Sequence, residues 1–443
     1  MRLPFSLSGP YPALLLALAC ASSSPPDVAS EPTAPPPDSL PLEAPADSLR
    51  LHGEFGLAVH MTADSTVEVR WLTRRRGAGR LEIRVDGELL ASETTPSGTA
   101  HVHTFPHPQR HDPAAGSFQV DYGSAHDPED RHTTRIHLDL DDRIPPVRIR
   151  GVDTLFVVAD IHGEYDRMVA LFQNAGIIDA NLRWVGGRSH LAVLGDMVSR
   201  GPDATAILWF LYRLEREAEA AGGAVHITLG NHEIMVMLAD LRYVHGKELW
   251  IAQSHGLPYD RMLDPRYSVL GRWLASKPAV IQVDDALMTH GGASPWFLPY
   301  STESHRDSLS SFVDEDLFYR WADTTWVVDL DSVSFERRVE FFWAPESTFW
   351  FRGYAESDSL DAELAAILQH TGARVHIVGH TPVPNIVEAY DGRLIMVNTI
   401  PFATELLRRV STPTGFSYQR VLMEGEPIPL LTRPSLTPPP PPP

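Results

Sequence analysis

One pattern constrains this chain more than any other. From about residue 150, short apolar runs end again and again in a small block of metal-ligating side chains. The runs are "DTLFVVAD", "HLAVLGD", "AVHITLG", "ALMTH" and "RVHIVGH", with "AVIQV" and "RLIMVNT" as further runs of the same kind. They are too short for helices and rich in Val, Ile and Leu, so they read as buried strands. Between them, "DRMVALFQNAG" and "PDATAILWFLYRLEREAEAAGG" carry helical spacing. In the second, Ile207, Phe210, Leu211 and Leu214 fall on one face, Pro202 suits the first turn and Gly222 the end. Strands alternating with helices predict an α/β domain with a layered sheet core.

The polar blocks are Asp160 and His162; Asp196 and Arg200; Asn231, His232 and Glu233; His290; and His380. A single histidine at a strand end is usually a hydrogen-bonded core residue, and a single Gly-Asp is a turn. Five blocks, each after an apolar strand, are hard to explain as independent packing, because strand ends in α/β sheets converge on one crevice. Two carboxylates, one amide and three imidazoles gathered there suit two hard or borderline divalent cations. Two such ions activate a shared water and clamp phosphate oxygens. Charge on those oxygens calls for arginine forks, and Arg200 and Arg352 in "TFWFRGY" are the candidates. By spacing alone, Arg352 reads equally as a stacked structural residue.

A chain of 443 residues predicts two folded units plus tails. Residues 50–146 form the first unit. "STVEVRWLT", "RLEIRVDGELL", "SFQVDYG" and "TTRIHLDL" alternate apolar and polar residues, as strands of a small sandwich do. His101, His103, His107 and His111 raise a metal hypothesis, but Pro106 and Pro108 interrupt the spacing and a solvated loop is the expectation. A formal charge of −20 argues against a nucleic-acid surface. The single cysteine, Cys20, excludes an intrachain disulfide and a cysteine zinc cluster. It follows the apolar run "ALLLALA", as the lipidated cysteine of an exported bacterial lipoprotein does, with Ala17 where leucine is usual. Residues 21–49 are rich in Pro and Ser and predict an extended tether; residues 431–443 predict an unpacked tail. The expected location is the periplasm or the outer membrane, with membrane contact only through that anchor.

These blocks, in this order, resemble the calcineurin-like metallophosphoesterase superfamily in its phosphoprotein phosphatase branch. The flanking text, "WVGGRSHLAVLGDMVSRGPD", "GGAVHITLGNHEIMVMLADLRYV", "MTHGGASP" and "STFWFRGY", is closest to the bacterial Shewanella-like phosphatases. The resemblance covers roughly residues 150 to 400, within an expected catalytic domain of residues 150–425. It implies a four-layered β-sandwich flanked by helices instead of one doubly wound sheet, and a fibronectin-like accessory domain before it. By motif, Asp160 and His162 bind the first metal, Asp196 bridges, and Asn231, His290 and His380 bind the second. His232 is then the general acid, and Arg200 and Arg352, with Asn231, hold the phosphate. The resemblance implies manganese, iron or zinc, and phosphorylated proteins or small molecules as substrates. The chain departs from the family at Ala159, where glycine is usual, and at Ser199, where an aspartate orients the acid histidine. Asp203, one helical turn on, is the expected partial substitute. The rival expectations are a dinucleoside polyphosphate hydrolase and a non-catalytic, surface-anchored binding protein.

Overall fold

The computed structural model describes residues 56–62, 66–110, 115–138, 145–314, 332–434 and 436. Cys20, the 21–49 tether, His111 and the terminal proline run lie outside the described residues. The first unit has five strands: β1 (Ala58–Thr62), β2 (Thr66–Val85), β3 (Glu88–Pro106), β4 (Ser117–Ser124) and β5 (Arg131–His137). They form one antiparallel sheet. β2 pairs with β3 on one edge and with β1 and β4 on the other, and β5 extends β4. The segment "RLEIRVDGELL", expected as one strand, is two. Asp86 and Gly87 both have positive φ, 48° and 86°, and close the tight turn between β2 and β3. Alternation ran through that turn because its two residues are polar on either register. His101 and His103 lie in β3 and not in a loop. His101 is buried, bonded to Thr95 at 2.7 Å and stacked on Trp71, so it is a core histidine.

The second unit holds two mixed sheets. β7 (Thr154–Val158), β8 (His190–Leu194) and β9 (Ala224–Thr228) run parallel. β15 (Glu405–Thr412), β16 (Gly415–Leu422) and β17 (Ile428–Pro429) extend them into six strands, ordered β17-β16-β15-β7-β8-β9. The other sheet has seven strands, ordered β18-β13-β14-β12-β11-β10-β6. These are β6 (Arg148–Ile149), β10 (Val280–Val283), β11 (Ala286–Thr289), β12 (Val375–Val378), β13 (Val387–Ala389), β14 (Leu394–Met396) and β18 (Leu431–Thr432). Period-two alternation divides the core between two clusters. Leu155, Val157 and Ala159 pack with Ile281, Met288, Ile377 and Ile395 of the other sheet. Phe156 and Val158 point the other way, to Met168, Leu171, Phe172 and Phe210 of the helices. β18 and Arg433 are folded, against the expectation of a tail from residue 431. Arg433 donates to the carbonyls of Tyr354, Ala355 and Ser357, which holds the strand on the sheet edge.

The helix Ala204–Ala220 begins after Pro202, with Asp203 as its N-cap residue. Expected to bury one face, it buries every residue from Ala204 to Tyr212. The N-terminal sheet covers its outer side. Trp209 Nε1 donates to Leu57 O at 2.9 Å, and Tyr212 OH accepts from His137 N at 2.9 Å. A helix covered on both sides is apolar all round, which accounts for "AILWFLY". No described helix is long and apolar enough to cross a membrane.

Candidate metal centre

The polar blocks meet at the strand ends. Asp160 follows β7, Asp196 follows β8, Asn231 follows β9, His290 follows β11 and His380 follows β12. The backbone there turns through the left-handed region: φ is 51° at Asp160, 47° at His162, 54° at Asp196 and 59° at His380. Ser199 and Arg200 share it, at 69° and 65°. Such conformations cost roughly 1–3 kcal/mol each and persist only where surrounding bonds fix them. Glu233 provides much of that fixing. Its carboxylate accepts from the amides of Asp196, Met197 and Gly230 at 2.8 Å and of Val198 at 3.2 Å. Gly379 is required by close approach, since a Cβ there would fall 2.6 Å from Asp160 Oδ2.

Two sets of ligand atoms converge, each with members within 4.8 Å of one another: His162, Asp196 and His232; and Asp196, His290 and His380. Asp196 belongs to both. His290 Nε2 lies 2.8 Å from Asn231 Oδ1, 3.1 Å from His380 Nδ1 and 3.3 Å from Asp196 Oδ2. His162 Nε2 lies 3.5 Å from Asp196 Oδ2 and 3.8 Å from Asp160 Oδ1, which places Asp160 at the first set. The outward nitrogens of these rings are spent on carbonyls. His162 Nδ1 donates to Val198 O at 3.1 Å, and His290 Nδ1 to Leu194 O at 2.8 Å. That fixes each tautomer and leaves Nε2 for a cation. His380 Nε2 is buried with no hydrogen-bond partner.

The electrostatics describe a site that demands positive charge. Burial pushes the His162 imidazole down to about 3 and His380 well below its usual value, so both present neutral lone pairs. Burial pushes Asp196 upward, but His290, His232 and His162 overrule it and hold the carboxylate well below its ordinary range. Against its own burial, His290 is raised to about 9 by Asp196 and Asp160. Two buried carboxylates therefore already draw a cationic partner. Asp160, His162, Asp196, Asn231, His290 and His380 fit two divalent ions by donor type and by spacing.

The arginines are held differently. Arg200 is exposed, its guanidinium 5.1 Å from the Tyr243 ring centroid and 5.8 Å from that of Phe402. Arg352 donates through Nη1 to His380 O at 3.0 Å. Of the two, Arg200 is the one laid against rings. His232 sits over Asp196, with Nε2 3.8 Å from Oδ2, and its amide donates to Oδ1 at 3.0 Å. Its Nδ1 is buried with no hydrogen-bond partner. Ser199 does not reach it, and neither does Asp203. The Asp203 carboxylate is taken by Lys247 Nζ at 2.5 Å, so the expected substitution is not made. Two residues escaped the sequence reading. Glu233 stood in a quoted block without a role. Asn398, beyond β14, donates through Nδ2 to Asp160 Oδ1 at 2.8 Å. It follows "RLIMV" just as His380 follows "VHIV", so the strand-end rule, applied once more, finds it.

Known proteins resemble this chain in sequence and in fold. Shewanella-like protein phosphatase 2 of Arabidopsis thaliana is 26% identical over 280 residues, 53% of this chain and 67% of that protein. A symmetrical bis(5'-nucleosyl)-tetraphosphatase of Cronobacter sakazakii is 29% identical over 160 residues, 34% of this chain and 48% of that protein. The crystal structure of a cold-active protein-tyrosine phosphatase from a psychrophilic Shewanella species shares the fold. Its TM-score is 0.63 at 24% identity, over 83% of this chain and 97% of that one. The calcineurin-like phosphoesterase family model matches residues 154–384, the stretch that carries Asp160 through His380. The chain belongs to the calcineurin-like phosphoesterase family.

Proposed function

We propose that this protein is a dinuclear metal-dependent phosphatase that hydrolyses phosphomonoesters, with phosphorylated proteins as its substrates. The observation that carries the reading is Asp196, buried and common to two converging ligand sets. Asp160 and His162 would hold one ion, Asn231, His290 and His380 the other, and Asp196 both. Manganese, iron and zinc all suit these donors. Bound there, two such ions supply an activated water and a clamp on phosphate oxygens.

The chain's own residues do the rest. Arg200 and Arg352 bind and orient the phosphate. Arg200 reaches it from between two aromatic faces, and Arg352 from its bond to the His380 carbonyl. Asn231 orients beside them. His232 donates a proton from Nε2 to the leaving oxygen. Burial, aided by the positive charge of Arg200 and His290, presses its imidazole down to about 4 even though Asp196 and Asp240 favour the protonated form. The N-terminal antiparallel sheet acts as a fibronectin-like accessory unit. Cys20 and the tether support an exported, lipid-anchored protein, which membrane fractionation of a Cys20→Ala variant tests.

The function is tested by offering a phosphotyrosine peptide, a phosphoserine peptide and diadenosine tetraphosphate in the presence of manganese, with Asp196→Asn as the blank. The expected outcome is peptide dephosphorylation that Asp196→Asn abolishes. Cleavage of the dinucleotide alone would point to the activity named for the Cronobacter relative. No turnover of any of the three would favour a non-catalytic binding protein.

A further inference from the structure

Asn398 is buried, 1% exposed, and lies in the catalytic half beside the first ion position. Both oxygens of Asp160 are committed. Oδ2 accepts the His380 amide at 2.9 Å, and Oδ1 accepts Asn398 Nδ2 at 2.8 Å. The amide turns its NH₂ to Asp160 and its carbonyl away. That carbonyl, Oδ1, is buried and has no hydrogen-bond donor among the described residues, so the side chain's one bond is the one to Asp160. The backbone around Asn398 is pinned as well: its carbonyl accepts from Val383 N at 2.8 Å. A buried amide on a pinned backbone, with its NH₂ on a metal-site carboxylate, is built like the partners that orient metal ligands.

We infer that Asn398 is a positioning residue for the first metal: it fixes the rotamer of Asp160. This inference rests on the dinuclear reading above. It also predicts asymmetry, because among the described residues Asn398 is hydrogen-bonded to Asp160 and not to Asn231, His290 or His380. Loss of Asn398 should loosen one ion and spare its neighbour. Removing such a partner typically weakens metal binding about 10–100-fold.

The test is metal stoichiometry and affinity of the full chain. Apo-protein is titrated with manganese, and retained metal is measured after equilibrium dialysis. The wild type is expected to hold two ions. Asn398→Ala is expected to hold one at a concentration where the wild type holds two, with the weaker dissociation constant raised about 10–100-fold. Asn398→Leu keeps most of the volume and removes the side-chain hydrogen bond to Asp160. It is read where the alanine variant fails to fold, and it is expected to show the same single-ion loss. Two ions retained at wild-type affinity by either folded variant overturns the inference and leaves the dinuclear reading standing. Equal weakening of both ions overturns the positioning role at the first site. A wild-type chain that takes up fewer than two ions overturns the inference together with the reading beneath it.

Discussion

Ser199 stands where the family resemblance implies an aspartate, and the His232 Nδ1 is buried with no hydrogen-bond partner among the described residues. Asp240 favours the protonated imidazole through space, although its own carboxylate is bound by Arg242 at 2.7–2.8 Å. Ser199→Asp should supply the missing acceptor. Its φ of 69° is no obstacle, since aspartate tolerates the left-handed region well. An added carboxylate within hydrogen-bond reach raises an imidazole's pKa by about one unit or more. An acid with a higher pKa keeps its proton to higher pH. The alkaline limb of kcat should therefore move up by about one pH unit, with several-fold faster turnover near neutrality. A kcat–pH profile that superimposes on the wild type would rule this out. Among residues, the polar blocks that converge were legible because each follows an apolar strand. Asp203 was misjudged because Lys247, distant in sequence, claims its carboxylate, and no local pattern announces that pairing.

Helix ends show the same division. The Ala204–Ala220 helix starts at Asp203, whose side chain makes no capping bond. The exposed amides of a first turn need partners. Here one comes from another helix: Glu248, in Gly246–Ser254, accepts from Thr205 N at 3.1 Å and from Thr205 Oγ1. Burial raises the Glu248 carboxyl to about 7 from an ordinary 4.5. The folded state then keeps a proton that the unfolded chain releases above about pH 4.5. Stability contributed by this group accordingly falls as pH rises from about 4.5 to about 7, and is level above that. The full loss is about 3 kcal/mol. Glu248→Gln should remove this slope, so denaturant unfolding of the two proteins at pH 5 and pH 7.5 should differ in pH response by up to that amount. Equal responses would mean that Glu248 is ionised in the fold. Strands and helices themselves were readable from periodicity. The Asp86–Gly87 turn was hidden by unbroken alternation, although its residues carry the turn chemistry.

Among the described residues, the N-terminal sheet and the α/β unit share one hydrophobic cluster, which runs from Leu57 and Trp71 to Trp209 and Trp273. β1 also touches the α/β unit through its backbone, with Met61 N on Tyr267 O at 2.7 Å. Two units joined by a common core should unfold together. Trp209→Ala is expected to lower stability by about 3–5 kcal/mol while calorimetry still records a single transition. Two separated transitions in the wild type would show that the interface is weaker than this packing implies. The sequence by itself determined the α/β class, the strand ends and the polar residue types gathered there, because those depend on local periodicity and residue chemistry. Tertiary structure alone decided that Asn398 holds Asp160, that Lys247 takes Asp203 and that the long helix is covered on both faces. Those facts depend on which distant side chains arrive at the same point, and a linear pattern of apolar and polar residues carries no information about that meeting.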